Sequence, residues 1–271
     1  MAIQKTEAFV LRTHPFRTSS LIVTTFSHSF GKLKGIAKGV RKEGIPHSSA
    51  FEPFTLIELV FYEKVRSELH LISEFTILES FEALRSNLEV LATAYYLSEL
   101  VDQLTEPQDP HQPIFELLEM AFRALPSFSP TLVTRIFELR LLSEVGLLPH
   151  LEGCLGCGER NPEKVYFSVR QGGLFCIRCR KKAPEAAVVG AETLEAMRQL
   201  TGQGRGRVTV ANLAEMNKTA DSKARSVWVE MGSLVDRFIT DRLGKRLVSR
   251  RFLSQVRFLK SKPSRVPKEP V

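Results

Sequence analysis

Apolar and polar positions alternate along the first eighty residues. Five short segments carry the period of two that a half-buried strand requires: residues 6–11, 20–26, 31–38, 55–62 and 68–75. They are rich in β-branched and aromatic residues. Turn-like stretches at residues 13–15, 28–31 and 63–67 separate them. In the fourth segment Thr55, Ile57, Leu59 and Phe61 share a face. In the third, Lys32, Lys34, Ile36 and Lys38 do so. A row of lysines cannot all point into a core, so this face is expected to meet water. Five strands with one long loop over residues 39–50 fit a small barrel. The strand count matches an OB-fold, and an SH3-like barrel would give a similar pattern.

From residue 81 the period lengthens. Phe81, Leu84, Leu88, Leu91, Tyr95 and Leu100 recur at helical spacing as far as residue 104, with Ser80 placed as N-cap. Residues 106–110, Glu-Pro-Gln-Asp-Pro, break the chain. A second helix is predicted over 112–125, with Ile114, Leu117, Leu118, Ala121 and Phe122 on one side. A third opens at Ser129-Pro130 and runs to Val145, with Gly146 as its C-terminal cap. Two more are predicted over 191–200 and 222–247, the latter with Val227, Met231, Leu234, Val235, Phe238 and Ile239 on a stripe. The Gly202-Gln203-Gly204-Arg205-Gly206 stretch lacks a Gly-Lys-Ser/Thr ending and a preceding strand, so it reads as a link rather than a phosphate loop. Residues near the end, with Pro263, Pro267 and Pro270 among charges, read as a disordered tail.

These elements predict a multidomain α+β chain. Its parts are an N-terminal OB-fold β-barrel (1–80), a helical domain in two pieces (81–150 and 184–253), an inserted four-cysteine module (151–183) and a basic tail (254–271). The chain opens without an apolar leader, and no apolar run approaches the roughly 20 residues of a membrane helix. A cytoplasmic location is therefore expected.

Charge changes the picture. The net charge is +8, and it is unevenly placed. From Arg12 to Lys42 there are seven Lys or Arg and no acid, and from Arg237 onward eleven against Asp241 and Glu269. From Phe81 to Glu138 the balance reverses, nine acidic to three basic. Basic ends around an acidic middle point to a polyanion, nucleic acid first, although lysines also serve solubility alone. Arg12, Arg17, Lys32, Lys34, Lys38, Arg41 and Lys42 are the candidate phosphate contacts, and Arg242, Lys245, Arg246, Arg250 and Arg251 form a second basic patch. Phe16, Phe26 and Phe30 are candidates for stacking on bases, weighed against a place in the core.

All four cysteines lie in one segment. Cys154 and Cys157 form one Cys-x-x-Cys pair, Cys176 and Cys179 another, with eighteen residues between the pairs. That spacing suits a four-thiolate zinc site, and two strands joined at Gln171-Gly172-Gly173 make the intervening stretch a zinc-ribbon hairpin. A redox dithiol is the alternative, without a βαβ pattern to support it. Four thiolates close the coordination sphere, whereas a catalytic zinc keeps a position open, so a structural role is expected. His150-Leu151-Glu152 spells His-x-Glu, as in zinc deaminases, but it lies beside Cys154 and no Pro precedes either pair. No Gly-x-Ser-x-Gly, His-Glu-x-x-His or Walker motif occurs, and the six histidines are scattered.

The stretches "RIFELRLLSEVGLLPHLEGCLGCGE" (135–159) and "FSVRQGGLFCIRC" (167–179) resemble the RecO family of bacterial recombinational repair proteins. "GKLKGIAKGVRK" (31–42) and "LVSRRFL" (247–253) are similar to it as well. Some members lack the cysteines, so the chain resembles the zinc-retaining branch. The resemblance implies a non-enzymatic, nucleoid-associated protein that binds single- and double-stranded DNA and anneals complementary strands. It implies partnership with RecR in loading RecA onto DNA coated by single-stranded-DNA-binding protein (SSB), and contact with the SSB C-terminal tail; DNA and that tail are the two candidate ligands of the second basic patch, Arg242, Lys245, Arg246, Arg250 and Arg251. A zinc-dependent nucleic-acid enzyme and an RNA-binding module are the competing readings of the same residues.

Overall fold

A computed structural model of the chain describes residues 2–40, 51–63, 67–160, 162–201 and 222–261. The alternating N-terminal sequence folds into strands β1 (Ile3–Phe16), β2 (Ser20–Ser27), β3 (Gly31–Ala37), β4 (Leu56–Tyr62) and β5 (Leu69–Glu79), which close in the order β1-β2-β3-β5-β4. All pairings are antiparallel except β3 with β5, an OB-like closure. The expected turn at residues 13–15 is instead part of β1. A register slip between Val10 and Arg12 bends this long strand, so that it pairs with β4 through its first half and with β2 along its second.

Ala8, Val10, Val23, Leu33, Ile57, Leu59 and Phe61 fill the barrel. The opposite face of β1 is buried too. Phe9 and Leu11 point out of the barrel into the helical domain, where the Phe9 ring lies 4.9 Å from Phe115 and 5.5 Å from Phe122. Barrel and helices thus share a core.

The helical domain begins later than the stripe predicts. Phe81 takes a left-handed backbone conformation (φ 49°) and a short 3-10 turn follows over Glu82–Arg85. Helix α1 (Leu88–Leu104) starts after Asn87, whose side chain accepts from the Glu89 and Val90 amides, so Asn87 rather than Ser80 is the N-cap. Helices α2 (Gln112–Ala124) and α3 (Pro130–Glu144) follow, and Gly146 (φ 69°) ends the second of these as expected. Helix α3 is the central one, and it buries an ion pair. Arg135 and Glu138 meet at 2.6 Å with almost no exposure, and the Tyr96 hydroxyl donates to Glu138 at 2.6 Å. Burial pushes the Glu138 carboxyl above its ordinary range, against the pull of Arg135.

A second sheet holds the cysteines: β6 (His150–Cys154), β7 (Val165–Ser168), β8 (Gly173–Cys176) and β9 (Ala187–Val189), in the order β6-β8-β7-β9. Helices α4 (Ala191–Thr201), α5 (Ser222–Leu243) and α6 (Val248–Ser261) are the remaining helices among the described residues. The single helix expected over 222–247 is broken at Gly244 (φ 66°). Residues 254–261, expected as tail, are helical. Leu253 and Val256 are buried in the helical core, and the Glu99 carboxylate of α1 accepts from the Val248 and Ser249 amides at the start of α6. Residues 262–271 and the glycine-rich link at 202–206 lie outside the described residues.

The loop from α1 to α2 joins the barrel. Pro107 bridges to Lys32, and the Gln108 amide donates to the Lys32 carbonyl at 2.9 Å. Paired partners between β3 and β5 begin only at Lys34, so the loop takes the place of a strand beside the start of β3. A Cβ at Gly31 would run into the Asp109 backbone, and only glycine suits its φ of 61° here.

Candidate nucleic-acid interface and metal centre

At one end of the barrel a groove of about 880 Å³ opens between the β1–β2 turn, the end of β3 and the start of β5. Phe16, Arg17, Ser19, Ile36, Lys38 and His70 are among its walls. Arg17 is exposed in a left-handed conformation (φ 54°) with its guanidinium over the Phe16 ring at 5.3 Å. Lys38 is exposed at the end of β3. On the floor lies His70, buried beside the Phe61 ring at 5.2 Å and within 3.1 Å of the Gln108 amide group from the helical domain. Cations over a half-buried aromatic, beside the strand 2–3 face, are what an OB barrel offers to a nucleic-acid backbone and its bases.

The remaining expected phosphate contacts divide by packing. Lys32 is a correction: it is buried, not solvated. Its Nζ donates to the Asp102 and Thr105 carbonyls at 2.5 and 2.6 Å, at the C-terminal end of α1, and lies 3.8 Å from the Asp102 carboxylate. Burial, outweighing Asp102, draws its ammonium below the ordinary range. The α1–α2 loop covers this end of β3, so the lysine face is split between core and solvent. Arg12 donates to the same Asp102 at 2.7 Å, away from the groove. Lys34 reaches Glu68 at 3.7 Å on the surface. Arg41 and Lys42 lie outside the described residues. Of the aromatics, Phe26 is buried in the shared core, Phe30 packs edge-on to Phe61 at 5.4 Å, and Phe16 alone of the three lines the groove.

The second basic patch also divides. Lys245, Arg246 and Arg251 are exposed. Arg242 lies over Phe238 at 4.7 Å. Arg250 is turned inward: it pairs with Asp236 at 2.6 Å and sits over Tyr96 at 5.5 Å.

The two Cys-x-x-Cys turns bring all four sulfurs within 4.8 Å of one another, and Cys157 and Cys176 sulfurs are 3.7 Å apart. Sulfurs bound tetrahedrally at about 2.3 Å stand about 3.8 Å apart, so the donor set fits a metal ion. Gly156 makes this approach feasible, since a Cβ there would meet Cys179 Sγ at 2.9 Å. The Gly156 and Cys176 amides donate to Cys154 Sγ at 3.4 and 3.3 Å. Burial opposes ionisation of Cys176, but amide and thiol donors bring it down to about 6; burial and its neighbours push Cys179 up to about 12. Four thiolates this close cannot all ionise without a cation among them. The four cysteines can therefore hold a metal ion.

The sequence matches two family models in succession: the recombination protein O N-terminal model over residues 1–81 and its C-terminal counterpart over 85–251. It is 33% identical to a DNA repair protein RecO from Syntrophus aciditrophicus, over 94% of this chain and 96% of that protein. It is 32% identical to one from Anaeromyxobacter sp. strain K (93% and 96%) and 28% identical to one from Bacillus velezensis (96% and 97%). The chain belongs to the RecO family of DNA repair proteins.

Within this RecO-family fold the N-terminal model ends just before the 3-10 turn and the C-terminal one begins at its last residue, Arg85, where barrel gives way to helices. Among the described residues no helix is long and apolar enough to cross a membrane. His70 and Gln108 were not singled out by sequence. Period-two alternation does place His70 on β5, but nothing in the chain before residue 112 announces that the Gln108 loop reaches it.

Proposed function

We propose that this RecO-family chain is a non-enzymatic recombination mediator that binds single- and double-stranded DNA through the barrel. The observation that carries the reading is the groove with Arg17 and Lys38 on its rim and Phe16 in its wall. Phosphates neutralised there give salt-dependent affinity with little sequence preference, and a base can stack on Phe16. Lys34 lies on β3, and Arg41 and Lys42 follow Lys38 in the sequence as further candidates. Arg12 and Lys32 act instead as the struts that orient the barrel. Annealing of complementary strands, and with RecR the loading of RecA onto SSB-coated DNA, follow as the activities of such a surface. The SSB tail, acidic and apolar, is the partner suited to exposed Arg251 and to the exposed apolar Val248 and Phe252 of the same helix. The metal is zinc, held by Cys154, Cys157, Cys176 and Cys179 in a closed, structural site. The protein works in the cytoplasm, at the nucleoid.

Charge reversal at Arg17 and Lys38 together tests this. The double variant should lose about tenfold or more in affinity for a labelled single strand, and its salt slope should shrink by about 1.4, two contacts at about 0.7 each. Unchanged affinity and slope in an anisotropy titration would remove the groove from consideration.

A further inference from the structure

Arg242 joins two parts of the molecule that are distant in sequence. Besides stacking on Phe238, its guanidinium donates to the Val169 and Arg170 carbonyls, each at 3.3 Å. These belong to the β7–β8 hairpin of the cysteine module. In the same hairpin Gln171 donates to the Lys182 carbonyl at 2.7 Å. That contact ties the hairpin turn to the 3-10 turn Arg180–Lys182, which follows directly on Cys179. A chain of contacts therefore runs from the end of α5 across the hairpin to the metal-binding knuckle. Exposed cations belong to its elements: Arg242 of α5, with Lys245 and Arg246 next in the chain, Arg170 in the hairpin turn, and Arg180, Lys181 and Lys182 in the 3-10 turn, where the Lys182 ammonium donates to the Gly156 carbonyl at 3.4 Å. Glu185, bonded to Ser168 at 2.6 Å and facing Arg170, offsets one of them.

We propose that this surface is a second binding site for the phosphate backbone of nucleic acid, apart from the barrel groove, so that one molecule holds two strands. The inference rests on the reading that the barrel takes the first strand. Two features suit a phosphate backbone, the second of them better than it suits a short acidic peptide. Arg242 and Arg180 are each stacked on an aromatic ring, Phe238 and Tyr166, at 4.7 and 4.8 Å. Stacking holds a guanidinium plane in place for contact with phosphate oxygens, with Arg242 Nη2 already engaged by the two hairpin carbonyls. The cations also succeed one another across three elements rather than converging on one point, as the repeating charges of a backbone require. The cysteine module then has a task beyond holding itself together: its metal fixes the turn that carries Arg180, Lys181 and Lys182.

Energy transfer between donor- and acceptor-labelled oligothymidylates, mixed with the full metal-loaded chain, reads simultaneous binding of two strands. The triple variant Lys182→Ala, Lys245→Ala, Arg246→Ala should lower that signal about tenfold, and the salt slope of the second strand should fall by about 2, three contacts at about 0.7 each. Energy transfer equal to the wild type overturns the proposal. If the triple variant loses its metal, the pair Lys245→Ala, Arg246→Ala, on the chain away from the cysteines, decides in its place. Should oligoglutamate bind the wild type and not the variant while both hold two strands equally, the surface serves an acidic protein and the proposal fails. The barrel variant separates the two readings. Loss of first-strand binding with the second surface intact supports both; wild-type behaviour of the barrel variant together with a defective triple variant leaves this site standing and removes the groove.

Discussion

The barrel and the cysteine module are both small β structures, but they are held in different ways. The barrel closes on itself, with every strand paired on both sides, and its interior carries a full set of buried apolar side chains. The module has strands of three to five residues. Apart from its cysteines, the core beneath the knuckles is Tyr166, Phe175, Ala183 and Ala186. So few side chains cannot offset the entropy of ordering two knuckles and their turns. The module is stabilised from outside. On one side Val165, Phe167 and Leu174 join the helical core, with Phe167 6.0 Å from Phe238. On the other side four sulfurs surround one point. A fold held by many buried side chains spreads its stability over them; a module this small concentrates it at the four sulfurs.

Removing the zinc proposed for the four cysteines is the strongest way to break this comparison. Structural zinc in small fingers contributes roughly 10–16 kcal/mol of binding free energy at neutral pH, much of it spent on folding. Chelation, or Cys154→Ser with Cys176→Ser, should strip amide-exchange protection from residues 154–160 and 173–183 while strands β1–β3 keep theirs. Hydrogen exchange read by mass spectrometry resolves the segments. Equal loss of protection in the barrel would mean that the two regions are one cooperative unit.

The same contrast explains what could be read from the chain. Cysteine spacing is a local signal, because two turns fix two pairs of ligands, and so the metal cluster is legible from Cys154 to Cys179. Alternation likewise exposes the barrel strands, an apolar stripe exposes α2, and the Ser129-Pro130 start and Gly146 stop expose α3. Lys32 shows where such reading stops. It shares a sequence face with Lys34 and Lys38, and period two cannot reveal that a loop seventy residues on covers one end of that face. Arg135 and Glu138 are similar. Charges one turn apart in a helix usually face water, and only the packing of α3 among its neighbours puts them inside. The break at Gly244 is not legible in the apolar stripe, because the change of direction is set by a single left-handed residue.

Lys32 and Lys34 sharpen the comparison at a smaller scale. Truncating Lys32 leaves two helix-terminal carbonyls and part of Asp102 buried without a donor, and a group so orphaned costs about 1–3 kcal/mol. Lys34 holds an exposed pair with Glu68, a contact of the kind worth well under about 1 kcal/mol. Lys32→Ala should therefore lower stability by about 2 kcal/mol and Lys34→Ala by about 0.5 kcal/mol or less, measured by urea denaturation. Equal effects would mean that the end of β3 is solvated after all and that the α1–α2 loop does not seal it.

The smallest effect concerns how α6 is attached, and pH exposes it. Glu89, near the start of α1, pairs with Arg257 at 3.2 Å and Lys260 at 2.8 Å near the end of α6. Burial raises the Glu89 carboxyl, but the Lys260 hydrogen bond and the charge of Arg257 prevail and hold it below its ordinary 4.5. A carboxyl lowered on folding binds fewer protons in the native state than in the unfolded one. Its contribution is fully present above about pH 4.5 and is lost as pH falls through the lowered value. One partner, Lys260, is largely exposed, so the contribution is about 0.5–1 kcal/mol. Glu138 runs the other way. Its carboxyl is raised by burial, so acid relieves rather than adds to its cost. Thermal unfolding between neutral and acid pH should show Glu89→Gln less stable than the wild type at neutrality and the gap closing as pH falls below about 4.5, with exchange fastest in residues 248–260. A gap that stays constant with pH would assign the role of Glu89 to packing alone, and α6 would then be held by Leu253 and Val256 without help from the ion pairs.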